Sequence, residues 1–135
     1  MTSFVYDKAR EKFLNGGINW TTDTIKAVLV TAAYSQDAAT HEFLSSITSG
    51  NRLSVSAELT SKTSTAGVAD AADAVFAAVS GSQGVAVVLY KDTGTDTTSP
   101  LIAYIDQATA GLPVTPNGGD INCVWDNGAN KIFKL

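Results

Sequence analysis

Hydrophobic and polar residues alternate with period two near the end of the chain, where Ile121, Cys123 and Trp125 interleave with Asn122, Val124 and Asp126. That spacing predicts a half-buried strand. An Asn127-Gly128 pair and the run 131–135 follow directly, so the pattern predicts a closing hairpin. Residues 53–59 alternate in the same way, which places Leu53, Val55, Ala57 and Leu59 inward and small polar groups outward. Two other segments, 25–30 and 85–90, are unbroken apolar runs rich in β-branched residues, as expected of central strands. Residues 101–106 return as a further strand, and one more begins near Asp73 with Val75, Ala77 and Val79 on one side and Phe76 on the other.

Only one segment has convincing helical periodicity. Tyr6, Ala9, Arg10, Phe13 and Leu14 recur at helical spacing, and Asn15-Gly16-Gly17 is a strong stop. About two turns of helix do not stand alone in water, so Phe13 and Leu14 are expected to dock on the sheet. Residues 32–49 read as a packed loop with a short helical turn around Phe43, Leu44 and Ile47. Residues 67–73 are ambiguous, because their alanines favour helix while their neighbours favour strand. Gly81-Ser82-Gln83-Gly84 reads as a hairpin turn, residues 92–100 as an exposed loop, and residues 111–119 contain too much Pro and Gly to continue a strand. About seven strands result, separated by turn signals every ten to fifteen residues or so, the pattern of an antiparallel β-sandwich or barrel with one short N-terminal helix.

With 135 residues the chain has the size of a single domain, 1–135, in which residues 1–17 form an N-terminal arm and helix. Nine Lys and Arg against thirteen Asp and Glu leave a net charge of −4, too few cations to neutralise a run of phosphates, so neither nucleic acid nor an anionic membrane is an expected partner. The apolar runs are too short to span a bilayer, and Met1-Thr2-Ser3 opens no basic and apolar signal peptide. A soluble protein that stays where it is made is expected.

Candidate chemistry is sparse. His41 is the sole histidine, which excludes sites that need two imidazoles, and its bland reading is a loop residue. Cys123 is the sole cysteine, cannot form an intramolecular disulfide and shares the inward face of its strand, as a small core group would. Asp70 with Asp73, or Asp92 with Asp96, lack the spacing of a calcium loop and read as turn formers. Trp20, Tyr34, Tyr90, Tyr104 and Trp125 could stack on sugars but are scattered through predicted strands, which favours core and interface roles. No catalytic residue, cofactor or metal ligand is assigned.

Three stretches carry a resemblance to a known family. They are residues 5–14 with Ile18-Asn19-Trp20 and residues 23–26, then residues 90–94 with 101–106, and finally residues 111–120 with Trp125-Asp126-Asn127-Gly128. In this layout the chain resembles a family of small structural proteins of tailed-bacteriophage virions, over nearly its whole length. The resemblance implies a non-enzymatic particle component, made in the host cytoplasm and localised in the virion. A capsid decoration or cement protein, binding the major capsid protein or other virion proteins and stabilising the shell, is the first expectation. A tail, collar or head-to-tail component is the second, and a virion-surface carbohydrate-binding module the third. Phage cement proteins commonly act as trimers, so the resemblance also implies a homo-oligomer. The expected contact regions are the amino-terminal segment, with Tyr6, Arg10, Phe13 and Leu14, and the loop at residues 92–100, with Asp92, Thr95 and Asp96.

Overall fold

The computed structural model describes residues 4–106, 113–125 and 131–134. In chain order these form β1 (Phe4–Val5), α1 (Asp7–Asn15), β2 (Ile25–Thr31), β3 (Arg52–Val55), β4 (Val68–Ala69), β5 (Ala74–Phe76), β6 (Gly84–Lys91), β7 (Leu101–Ile105), β8 (Ile121–Cys123) and β9 (Phe133–Lys134). All pairings are antiparallel: one open sheet runs β1-β7-β6-β2-β3, and β4-β9 and β5-β8 make two short ribbons. Among the described residues the architecture is sandwich-like, mainly β and without a closed barrel, and the one α-helix lies near the N-terminus.

The centre of the large sheet is buried on both faces. Residues 27–31, 86–90 and 101–105 are buried without interruption, which requires cover above and below the pleat. Register assigns Ala27, Leu89 and Ala103 to one face and Val28, Val88 and Tyr104 to the other. The apolar runs of the sequence are therefore continuous because neither face of these strands meets water.

α1 ends where the glycines require. Gly16 takes the left-handed conformation with φ of 81°, its N–H bonds back to the Lys12 carbonyl, and Gly17 donates to the same oxygen at 2.7 Å. Ala9 is fully buried and Phe13 leans on Phe133 with ring centroids 6.1 Å apart, but Leu14 is 90% exposed. The expected docking of Leu14 is thus corrected: one position is 100° around a helix, so a stripe that buries Ala9 and Phe13 turns Leu14 outward. The segment before the helix belongs to the sheet. Phe4 and Val5 pair with Tyr104 and Ala103, the Tyr6 amide donates to the Ile102 carbonyl at 3.0 Å, and the Tyr6 side chain is fully buried.

Further expectations change in the structure. Alternation fails within 53–59, where Val55 is 43% exposed, Ala57 is exposed and Ser56 is buried. β3 stops at Val55, and the Ser56 hydroxyl accepts the Ala27 amide at 3.0 Å, where a main-chain carbonyl would otherwise serve. In β5 Phe76 points in and Val75 out, and a positive φ of 49° at Ala78 breaks the run so that Val79 re-enters the core. Residues 81–84 do not close a hairpin, because β5 pairs with β8 while β6 pairs with β2 and β7. The closing hairpin is likewise corrected. β8 pairs with β5 and β9 with β4, so both final strands take partners roughly fifty or more residues upstream. The Asn127-Gly128 turn lies outside the described residues.

Gly84 opens β6 where there is no room for a side chain: a Cβ there would lie 2.8 Å from Cγ and Cδ1 of Leu29, itself fully buried. Gly84→Ala is expected to destabilise the fold by about 1–3 kcal/mol, because the branch of Leu29 has nowhere to move. Urea unfolding measures this, and an unchanged midpoint would contradict the packing.

Candidate functional site

The two segments expected to contact partners are stitched together by residues 42–47. Lys12 of α1 donates to Glu42 Oε2 at 2.6 Å and lies 5.2 Å from the centre of the Phe43 ring. Phe43 bridges to Pro100, and the Leu44 amide donates to the Ser99 carbonyl at 2.8 Å. Arg52 then clamps the far side. Its Nη1 pairs with Asp96 Oδ2 at 2.7 Å, its Nε donates to the Ile47 carbonyl at 2.9 Å, and its Nη2 reaches the carbonyls of Leu44 and Ile47 at 2.9 and 2.6 Å. One planar guanidinium satisfies two loop carbonyls and a carboxylate, a task a lysine ammonium cannot match in geometry.

Each expected contact residue has a definite place. Tyr6 is in the core and has no outer surface to offer. Arg10 is exposed on the outer side of α1, Phe13 is half-buried and Leu14 is bare. Asp92 is held by Lys26 at 2.8 Å and also accepts the Gly94 amide at 2.9 Å; these hydrogen bonds hold its carboxyl below the usual carboxylate range. Asp96 is exposed but paired with Arg52. The Thr95 carbonyl accepts from Ser99 Oγ at 2.8 Å and from Thr93 and Thr98 at 3.3 Å, so residues 93–99 fold on themselves. The loop is surface-exposed yet internally ordered. On the other side Lys91 pairs with Asp23 at 3.1 Å and donates to the Gly17 carbonyl, while Lys62 donates to the Asp23 carbonyl.

Sequence reasoning missed a second constellation. Tyr6 and Tyr34 share a hydrogen bond at 2.7 Å, and the Tyr34 hydroxyl meets His41 Nδ1 at 2.8 Å, with the Tyr34 and His41 rings stacked 5.6 Å apart. Donor counting orders the protons. If Tyr6 donates to Tyr34 and Tyr34 donates to His41 Nδ1, every hydroxyl hydrogen has an acceptor; the reverse order would strand the buried Tyr6 hydrogen. His41 therefore carries its proton on Nε2. Burial raises the Tyr6 hydroxyl far above an ordinary phenol, and the nearby Tyr34 adds to this. Burial pushes Tyr34 up to about 12, with its bond to Tyr6 opposing. Nothing in the local pattern announces a bond between residues 28 apart, and only the coupling of a sole His to buried tyrosines could have hinted at it.

The other chemically capable groups sit apart from this chain. Cys123 is buried, and burial, reinforced by Asp73, pushes its thiol up to about 12. The Asp70 carbonyl accepts the Trp20 indole N–H at 3.3 Å, and Asp73 Oδ1 accepts the Trp125 amide at 3.2 Å. No group of three or more His, Cys, Asp or Glu placed to hold a metal ion occurs among the described residues. Trp20, Tyr34, Tyr90, Tyr104 and Trp125 are all buried, so no stacking platform is presented by these rings.

Tyr34→Phe is expected to cost about 1–3 kcal/mol, since it strands the Tyr6 hydroxyl, and the double variant with Tyr6→Phe should cost less than the sum of the two singles. Additive losses, or nitrogen NMR showing the His41 proton on Nδ1, would contradict the relay. Stability should be level from neutral pH to about pH 9 and fall between about pH 9 and 12, because Cys123, Tyr34 and Tyr90 ionise at their ordinary values of 9.0 and 10.0 only once unfolded and are held near 12 in the fold. Denaturant midpoints across that range test this, and a flat profile would contradict it.

No protein-family model matches the chain, and no curated protein is significantly similar to it.

Proposed function

We propose that the protein is a non-enzymatic structural component of a tailed-bacteriophage virion, and that it decorates and stabilises the capsid shell rather than serving in the tail or collar. The reading rests on the resemblance carried by residues 5–14, 18–20 and 23–26, by 90–94 and 101–106, and by 111–120 and 125–128. The observation that supports it most is the tying of the expected contact regions. Residues 93–99, which loop back on the Thr95 carbonyl, are joined through Ser99 and Arg52 to residues 42–47, and through Lys12 to the helix. A surface ordered before docking loses little entropy on binding, and a lattice contact repeated over many copies gains from that at every copy. The chain's reactive groups serve internal structure in the same spirit. His41 completes a hydrogen-bond chain and Cys123 fills the core.

Partners then meet the outer face of α1, with Arg10 and Leu14, and the outer surface of residues 93–98. Tyr6 acts from below, by holding the segment in place. Mass spectrometry of gradient-purified particles, followed by a density map of the intact virion, tests the reading. The protein is expected at a fixed ratio to the major capsid protein and as density over the shell. Its absence from the particles would overturn the virion reading, and density confined to the tail or collar would overturn decoration of the capsid.

A further inference from the structure

Tyr6, Tyr34 and His41 form a chain whose last member is a base, and that gives Tyr34 a chemistry the other aromatic residues lack. Among the described residues His41 is the one base that a tyrosine hydroxyl meets, through Nδ1 at 2.8 Å. The Tyr6 hydrogen rests on the Tyr34 oxygen at 2.7 Å, and a hydroxyl oxygen does not take up a proton near neutral pH. The indole hydrogens of Trp20 and Trp125 rest on the carbonyls of Asp70 and Ala72. The frame around Tyr34 is fixed. Its amide donates to the Thr31 carbonyl at 3.2 Å, the His41 amide to the Asp37 carbonyl at 3.2 Å and the Asp7 amide to the Ala38 carbonyl at 2.8 Å, so residues 34–41 are tied along their length. The Tyr34 ring is buried between His41 and Tyr104, whose ring centre lies 6.2 Å away, while His41 itself is only half-buried.

We propose that Tyr34 is a redox-active tyrosine: an outer-sphere one-electron oxidant takes an electron from its ring while the hydroxyl proton passes to His41 Nδ1. The O–H bond of Tyr34 breaks and an N–H bond forms on His41; the products are a neutral phenoxyl radical, an imidazolium and the reduced oxidant. Loss of an electron makes a phenol O–H strongly acidic, so the oxidation is costly unless the proton leaves in the same step. A base already in hydrogen-bond contact takes it. Donor counting closes after the step as it does before. The phenoxyl oxygen has no hydrogen left to place and accepts from both Tyr6 and the new Nδ1–H, so no buried donor is stranded. The positive charge comes to rest on half-buried His41 rather than in the core. There it is attracted by the exposed Asp37 carboxylate, which the amides of Ala39 and Thr40 hold in place. An electron returned by a diffusible reductant sends the proton back to the Tyr34 oxygen, so the site stores one oxidising equivalent reversibly. This chemistry is independent of where the protein serves in a particle.

Flash photolysis of the full chain tests this, with the trivalent tris-bipyridine complex of ruthenium generated in the flash by a persulfate quencher. The tyrosyl radical is read by its optical absorption and its electron paramagnetic resonance signal. The wild type is expected to form the radical in a fast phase that slows in heavy water, because a proton moves in the same step. His41→Gln leaves a carbonyl acceptor for the Tyr34 hydroxyl but no base, so a merely structural role would be kept while the fast phase slows by about 100-fold. Tyr34→Phe is expected to lose the phase, leaving the slow oxidation of the other aromatic residues. Circular dichroism checks folding; the double variant with Tyr6→Phe, which strands no hydroxyl, replaces Tyr34→Phe if that variant is unfolded, and the isotope comparison on the wild type stands in for His41→Gln in the same case. Equal rates in light and heavy water, or a folded variant at His41 or Tyr34 that forms radical as fast as the wild type, overturns the inference.

Discussion

Everything in this fold answers to the burial of β2, β6 and β7 on both faces. Leu29, Val87, Val88, Leu89, Leu101 and Ile102 are removed from water entirely, and each such side chain contributes on the order of 1.5–3 kcal/mol when fully buried. A sheet of that kind cannot be left open on either side. Short elements that have little stability of their own supply the cover: a nine-residue helix, two-stranded ribbons and single 3-10 turns. They persist because the sheet needs them, and the sheet persists because they are tied down.

The ties are mostly polar and long-range. Arg52 holds residues 44–47 and Asp96, Lys12 holds Glu42, Lys26 holds Asp92 and Lys91 holds Asp23. Partly exposed pairs of this kind add little stability singly. Their consequence is positional, since they set where the loop at residues 93–98 and the outer face of α1 stand relative to the sheet. Tyr6 does the same from inside: its amide joins β7 while its hydroxyl joins Tyr34 and through it His41. The outer surface of these segments is therefore a fixed one.

Elements whose signal is local were legible in the sequence. The helix with its Gly16 stop, the runs that became β2, β6 and β7, and the shared inward face of Ile121, Cys123 and Trp125 all follow from periodicity and burial. Decisions made by distant partners were not. Residues 53–59 alternate convincingly, yet the need of the Ala27 amide for an acceptor drew Ser56 inward and left Val55 outside. β8 and β9 resembled two arms of a hairpin but found β5 and β4, because pairing is won by whichever edges the tertiary fold brings near. The candidate contact residues divide in the same way. The exposure of Arg10 and Leu14 follows from helix geometry, whereas the burial of Tyr6 and the pairing of Asp92 and Asp96 depended on Tyr34, Lys26 and Arg52, 28 to 66 residues away in the chain.

The amino-terminal segment from Phe4 is a built-in part of the sheet, so that only its outer face stands clear of the core. Amide hydrogen exchange at Tyr6 measures this directly. The Tyr6 amide, bonded to the Ile102 carbonyl, is expected to exchange only with global unfolding and as slowly as Val88 at the centre of β6. Rapid exchange at Tyr6 while Val88 remains protected would contradict it, and would make the segment a detachable arm.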